Sequence, residues 1–177
     1  MTTRQVRGAE TTFEEFVTAT AGRLLRTAVF LVYDRHLAED LLQTAYERVA
    51  RRWHRIAGGE PEAYARKVLV NLAIDENRRR ARRRDVPVGT PADLERLAGA
   101  PGGAAAVPDG DLDEVLRTLP VKQRAVVVLR YWCDLSEQEI ADVLGISRGT
   151  VKSHTARAME ALRRHVAART EGGGAGP

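Results

Sequence analysis

The chain has one cysteine, Cys133, in 177 residues. That excludes an internal disulfide framework and fits a reducing cytoplasm. It contains no CxxC and no HExxH, and its four histidines, His36, His54, His154 and His165, are scattered. No metal-ligand spacing results, and no cofactor is expected. No Gly-rich loop ends in Gly-Lys-Ser/Thr, which removes a common phosphate cradle and leaves no catalytic constellation. Long apolar runs are missing as well. The stretch Ala125 to Leu129 falls far short of a membrane span, and the N-terminus has no apolar segment after its first charges. Neither secretion nor membrane insertion is expected. No stretch reads as a strand.

What is present is charge in a particular arrangement. The net charge is only +4, yet Arg78, Arg79, Arg80, Arg82, Arg83 and Arg84 crowd together while Asp34, Glu39, Asp40 and Glu47 gather elsewhere. Such asymmetry suits two partners, one polyanionic and one with a mixed acidic and apolar surface requirement.

Apolar residues recur at helical spacing through most of the chain. Phe13, Phe16, Val17, Ala21, Leu24, Leu25 and Ala28 predict a helix to about Val32. After Tyr33-Asp34-Arg35-His36, the stripe Leu41, Leu42, Ala45, Val49 and Trp53 predicts a second helix from Leu37 to His54. Gly58-Gly59 ends it, and Pro61 stands at the first position of a third helix running to Arg84. Its apolar stripe, Ala65, Val68, Leu69, Leu72 and Ala73, gives way to arginines that a core cannot hold. Residues 86 to 110 are rich in Pro, Gly and Ala and read as a flexible linker, with a brief turn at Asp93 to Ala98. Short helices at Leu112 to Leu119 and Val121 to Trp132 come next.

From Leu135 to Arg163 the chain reads as a helix-turn-helix. Ser136 and Glu139 form a capping box, Ile140, Ala141 and Leu144 a buried stripe, Gly145 a turn, and Ser147 the cap of a second helix. That helix would bury Val151, Thr155, Ala158, Met159 and Leu162 and present Arg148, Lys152, Ser153, His154 and Arg157 outward, as a helix does that reads duplex DNA in the major groove. The expected architecture is all-α: two small helical domains joined by a flexible linker, at 10–85 and 111–166, with the linker at 86–110 and a disordered tail at 167–177.

Two tracts then point to one family. AEDLLQTAYERVARRW with YARKVLVNLAIDENRRRARRR resembles region 2 of extracytoplasmic-function sigma factors, and LRTLPVKQRAVVVLRYWCDLSEQEIADVLGISRGTVKSHTARAMEAL resembles their region 4. LLRTAVFLVYDRHLAEDLLQ is most similar to the actinobacterial SigE-like branch. The resemblance implies an alternative sigma factor that binds bacterial core RNA polymerase at its β′ clamp and β flap, melts promoter DNA and starts transcription. It implies that Asp40, Gln43 and Glu47 meet the clamp, and that Asn71 and Asp75, with Arg78, Arg79, Arg80 and Arg83, capture the −10 element. It assigns the −35 duplex to Arg148, Thr150, Lys152, Ser153, His154 and Arg157, though many relatives carry Arg where this chain has His154. An anti-sigma factor is a further implied partner. The residues alone leave two rivals, an autonomous dimeric DNA-binding regulator and a protein-only adaptor; six arginines after an exposed helix have no evident use in a dimer interface or a ligand pocket.

Overall fold

The computed structural model of the chain describes residues 11–84 and 116–172. The linker expected at 86–110, its turn at Asp93 to Ala98 and the start of the helix at Leu112 lie outside the described residues. All described regular elements are helical: α1 Phe13–Val32, α2 Arg35–Ala50, α3 Trp53–Ile56, α4 Pro61–Arg84, α5 Val121–Val127, a π-helical turn Val128–Trp132, α6 Glu137–Leu144 and α7 Arg148–Gly172.

The caps explain the boundaries. At α1, Thr12 Oγ1 accepts the Glu15 N–H and the Glu15 carboxylate accepts the Thr12 N–H, satisfying two orphan donors reciprocally. The helix stops where Tyr33 takes φ 52°, its N–H returning to the Val29 carbonyl. Asp34 then caps α2 by accepting the Leu37 N–H at 3.0 Å, so α2 begins at Arg35 instead of Leu37. The single helix expected through His54 is instead broken at Arg51 and Arg52. There Arg52 N–H turns back to the Val49 carbonyl, and α3 carries Trp53 into a ring cluster with Phe13 and Phe16, at centroid distances of 5.3 and 5.1 Å. Tyr46 closes that cluster edge-on, its hydroxyl 2.8 Å from Thr20 Oγ1. In α4, Ala65, Leu69, Val70 and Ala73 are buried, packing on α1 and α2.

In the second lobe, α5 and α7 pack together and α6 packs on α7. Helix α7 continues to Gly172, past the limit drawn at 166, so a tail beginning at 167 is corrected for its first six positions. The two helical regions expected from the sequence are both present. Buried residues of α1, α2 and α4 form one contiguous apolar cluster with Val126, Leu129, Leu135, Ile140 and Val151. The two regions therefore also share a core, which the sequence reading does not describe.

Candidate nucleic-acid interface

The helix-turn-helix is built by local chemistry. Ser136 Oγ accepts the Glu139 N–H, and the Glu139 carboxylate accepts the Ser136 N–H at 2.8 Å. Hydrogen bonding from the Ser136 side chain and from its backbone N–H holds the Glu139 carboxyl below the usual carboxylate range. Gly145 ends α6 at φ 64°, a left-handed conformation that strains any residue with a Cβ. Ser147 Oγ accepts the Thr150 N–H at 3.1 Å and lies 2.9 Å from Thr150 Oγ1, so Thr150 belongs to the cap. Inside the angle between the helices, Ile140, Ala141, Val151 and Ala158 are buried.

On the opposite side of α7, Arg148, Lys152, Ser153 and Arg157 are exposed. Arg148 and Lys152 both lean toward Glu137 of α6, at 3.6 and 3.8 Å. Ser153 Oγ donates to the Gly149 carbonyl at 2.8 Å, which occupies its hydrogen. His154 stands apart from the other four. It is half-buried and its Nδ1 is buried with no hydrogen-bond partner. Burial, then the positive charges of Arg157 and of Lys122 on α5, hold its imidazole below the usual histidine range.

On α4, Asn71, Asp75 and Arg78 lie at i, i+4 and i+7 and share one exposed face. Arg78 sits 3.8 Å from the Asp75 carboxylate. The other arginines diverge: Arg79 pairs with Glu76 at 3.4 Å, Arg83 is exposed, and Arg80 turns inward to Asp34 and Glu76 at 3.0 and 3.7 Å. The structure thus brings Asn71, Asp75 and Arg78 together and takes Arg80 away from them. On α2, Asp40, Gln43 and Glu47 are all exposed along one helical face opposite Leu42, Ala45 and Val49, and Gln43 donates to Glu47 at 3.4 Å.

Sequence reasoning missed the seam between the lobes. Arg124 of α5 is 6% exposed. Its Nη2 donates to Asn77 Oδ1 on α4 at 3.2 Å, and its guanidinium lies 5.0 Å from the centre of the Tyr33 ring. The Asn77 amide in turn donates to the carbonyls of Leu31 and Ala73 at 3.1 and 2.8 Å. Farther along, Trp132 meets Phe30 edge-on at 5.2 Å, and Thr27 Oγ1 lies 3.6 Å from the sulfur of Cys133. The one cysteine is therefore a seam residue, its thiol pushed up by burial. No signal of local periodicity marks these partners.

Among the described residues no group of acidic, histidine or cysteine side chains is arranged to hold a metal, and no helix is long and apolar enough to cross a membrane.

The class defined by this geometry is that of two-lobed helical proteins with a helix-turn-helix on one lobe and, on the other, an asparagine-arginine helix beside an acidic face. Comparison with known proteins names the family within that class. Residues 16–83 match Sigma-70 region 2 and residues 109–162 match Sigma-70, region 4. The chain is 41% identical to the RNA polymerase sigma-E factor of Streptomyces coelicolor over 161 residues, covering 89% of this chain and 87% of that protein. It is 35% identical to the ECF RNA polymerase sigma factor SigE of Mycolicibacterium smegmatis, covering 91% of this chain and 64% of that one. The fold resembles the sigma factor RpoE in its complex with the anti-sigma factor NepR from Bartonella quintana, with a TM-score of 0.66, 22% identity, and 87% and 96% of the two chains covered. It also resembles CnrH bound to the cytosolic domain of CnrY, with a TM-score of 0.56, 21% identity, and 88% of each chain covered. The chain belongs to the sigma-70 family, as an extracytoplasmic-function sigma factor closely related to the actinobacterial SigE-like group. It binds core RNA polymerase and directs promoter recognition and transcription initiation.

Proposed function

We propose that this sigma factor divides its work among three faces. Asp40, Gln43 and Glu47 on α2 dock on the β′ clamp of the core polymerase, and the second lobe meets the β flap. Asn71 and Asp75, with Arg78, Arg79 and Arg83 near phosphates, capture the melted −10 strand; Arg80 contributes by bracing α4 against Asp34. Arg148, Lys152 and Arg157 read or grip the −35 duplex, with Ser153 and Thr150 shaping the entry of α7 and His154 at its edge. An anti-sigma protein is the remaining partner.

The observation that carries this assignment is the exposed face of Asn71, Asp75 and Arg78 on α4. An Asn amide meets both donor and acceptor edges of an extruded base, and a nearby guanidinium retains a backbone whose bases have been unstacked. A regulator that bound only duplex DNA would have no need of it. Bidentate arginine or lysine contacts on α7 would contribute about 1–3 kcal/mol of discrimination per base pair, the remaining contacts setting register.

The test is run-off transcription by purified core polymerase on a promoter library, with and without this protein. Transcripts that begin at selected promoters only when the protein is present are the expected result. Sequence-specific duplex binding that is indifferent to polymerase would instead favour an autonomous regulator, and no DNA dependence at all would favour an adaptor.

A further inference from the structure

We infer that the surface for the −35 duplex does not end on α7: Lys122 of α5, with His154 and Arg157, forms a seat for one backbone phosphate at the flank of the element. The inference rests on the assignment of α7 to the −35 duplex made above, and it adds to that face a residue from outside the helix-turn-helix.

Packing brings the three side chains to one corner. Ala158 of α7 is buried with Leu116, Leu119 and Val127, and Ala161 is partly buried beside it. His154 stands four residues before Ala158, one turn nearer the start of α7 on the same side. Lys122 stands between Leu119 and Val127 in the opposing segment. Both therefore lie where the contact between α5 and α7 meets solvent, His154 half-buried and Lys122 exposed. The charge of Lys122 is felt at the imidazole, as is that of Arg157, which is exposed three residues farther along α7.

The charges set this corner apart from the rest of α7. Arg148 and Lys152 share the Glu137 carboxylate, and Glu160, three residues past Arg157, leans toward Arg163 at 3.8 Å. Among the described residues no carboxylate lies within ion-pair distance of Lys122 or Arg157. Two cations thus flank one ring from two helices with nothing negative between them, an arrangement that an anion relieves. Lys122 also stands in the first turn of α5, where a positive charge works against the helix. The stability of α5 does not explain it.

The ring supplies a third contact. His154 Nδ1 is buried without a hydrogen-bond partner, whereas Nε2 is not among the buried atoms. Orphaned buried donors are rarer than orphaned buried acceptors, so the neutral ring carries its proton on Nε2, toward solvent. His154 then donates outward without having to ionise. A phosphate has oxygens enough to accept from an ammonium, a guanidinium and an imidazole N–H together, and such contacts fix the register of a helix on its duplex. Continuity with the basic face of Arg148, Lys152 and Arg157 favours this occupant over an acidic protein surface.

The test is fluorescence anisotropy of the full chain with a −35 duplex in which single phosphates are replaced in turn by neutral methylphosphonates. One replacement at the flank should weaken wild-type binding by about three- to tenfold, as the loss of one charged contact does. Lys122→Ala should be nearly indifferent to that replacement, bind specific and scrambled duplexes less tightly by the same factor, and lower the salt slope by about one. Lys122→Arg should restore all three. Wild-type affinity and salt slope in Lys122→Ala, or an unchanged methylphosphonate profile, would overturn the seat. Spared duplex binding with weakened capture of core polymerase would also overturn it, by assigning the corner to an acidic protein surface. Arg148→Ala and Lys152→Ala separate the two levels of the assignment: if neither weakens duplex binding, the reading of α7 fails and the seat with it, whereas a loss in both beside an unaffected Lys122→Ala removes the seat alone.

Discussion

The Arg80 guanidinium stands 3.0 Å from the Asp34 carboxylate and closes the later turns of α4 onto the first turn of α2. Burial alone would raise the Asp34 pKa, but the Leu37 N–H and Arg80 outweigh it and hold the carboxyl below the ordinary range. A depressed folded-state pKa stabilises the fold above the unfolded value and loses that contribution as pH falls through the folded one. Asp34→Ala should therefore cost about 1–2 kcal/mol at neutral pH, as the loss of a helix cap does. The difference from wild type should shrink in strong acid. Thermal or urea unfolding from neutral pH into strong acid measures this, and a pH-independent gap would refute the ionised cap.

Reversal of charge at Asp40 and Glu47, both exposed on α2, should weaken capture of core polymerase roughly tenfold, the order expected from inverting two surface charges worth ~0.5–1 kcal/mol each. Helical content should be unchanged. A pull-down titration beside circular dichroism separates the two effects, and unaltered affinity would remove this face from the clamp contact.

Asn71→Ala should spare binding to −35 duplex and depress opening of the bubble, because only an unstacked base presents its whole edge to the amide. Permanganate reactivity of thymines in the bubble is the measurement. Equal reactivity in variant and wild type would exclude the site.

Glu137 is approached by both Arg148 and Lys152, an acid placed beside the surface proposed to meet the −35 duplex. Glu137→Gln should tighten binding to duplexes of any sequence. It should also lower helix stability by about 0.3–1 kcal/mol, since Glu137 stands in the first turn of α6 where a negative charge is favourable. Fluorescence anisotropy with specific and scrambled duplexes, paired with thermal melts, checks both signs. A gain confined to one sequence would mean that Glu137 reads bases.

His154 carries a pH prediction. In the free protein burial, Arg157 and Lys122 disfavour its protonated form, whereas a phosphate placed against this corner would favour it. Binding to −35 duplex should therefore take up a proton and strengthen as the solution is taken from mildly alkaline to mildly acidic. His154→Ala should flatten that dependence and act alike on all −35 sequences, whereas a loss confined to one base pair would mark a base contact. His154→Arg should steepen the salt dependence by up to ~1 unit.

The legible parts of this protein are those whose cause is local. Ser136 with Glu139, Gly145 and Ser147 specify the helix-turn-helix within a dozen residues, and each takes the expected role. Pro61 opens α4 for the same kind of reason. Asp34 caps α2 by the same logic, but its neighbours Arg35 and His36 disguise it as part of a break. The seam was illegible for a different reason. Arg124 gives no sign in its own neighbourhood that Asn77 and Tyr33 will receive it, and His154 looks like one more outward residue until the side of α5 bearing Lys122 is in place.

The π-helical turn at Val128–Trp132 closes with the Cys133 N–H on the Val128 carbonyl at 3.1 Å, so one residue more than an α-helix requires is looped into that turn. Removing any one of the five would let the backbone relax into regular α-helix, and by that local measure the shorter chain would be improved. Yet each deletion turns the helix before it by about 100° relative to the segment after it, which would swing Trp132 off Phe30 or Arg124 off Asn77. This stretch should tolerate exchanges of side chain far better than changes of length, and among natural homologues its spacing to the Ser136 cap should vary less than its residues do.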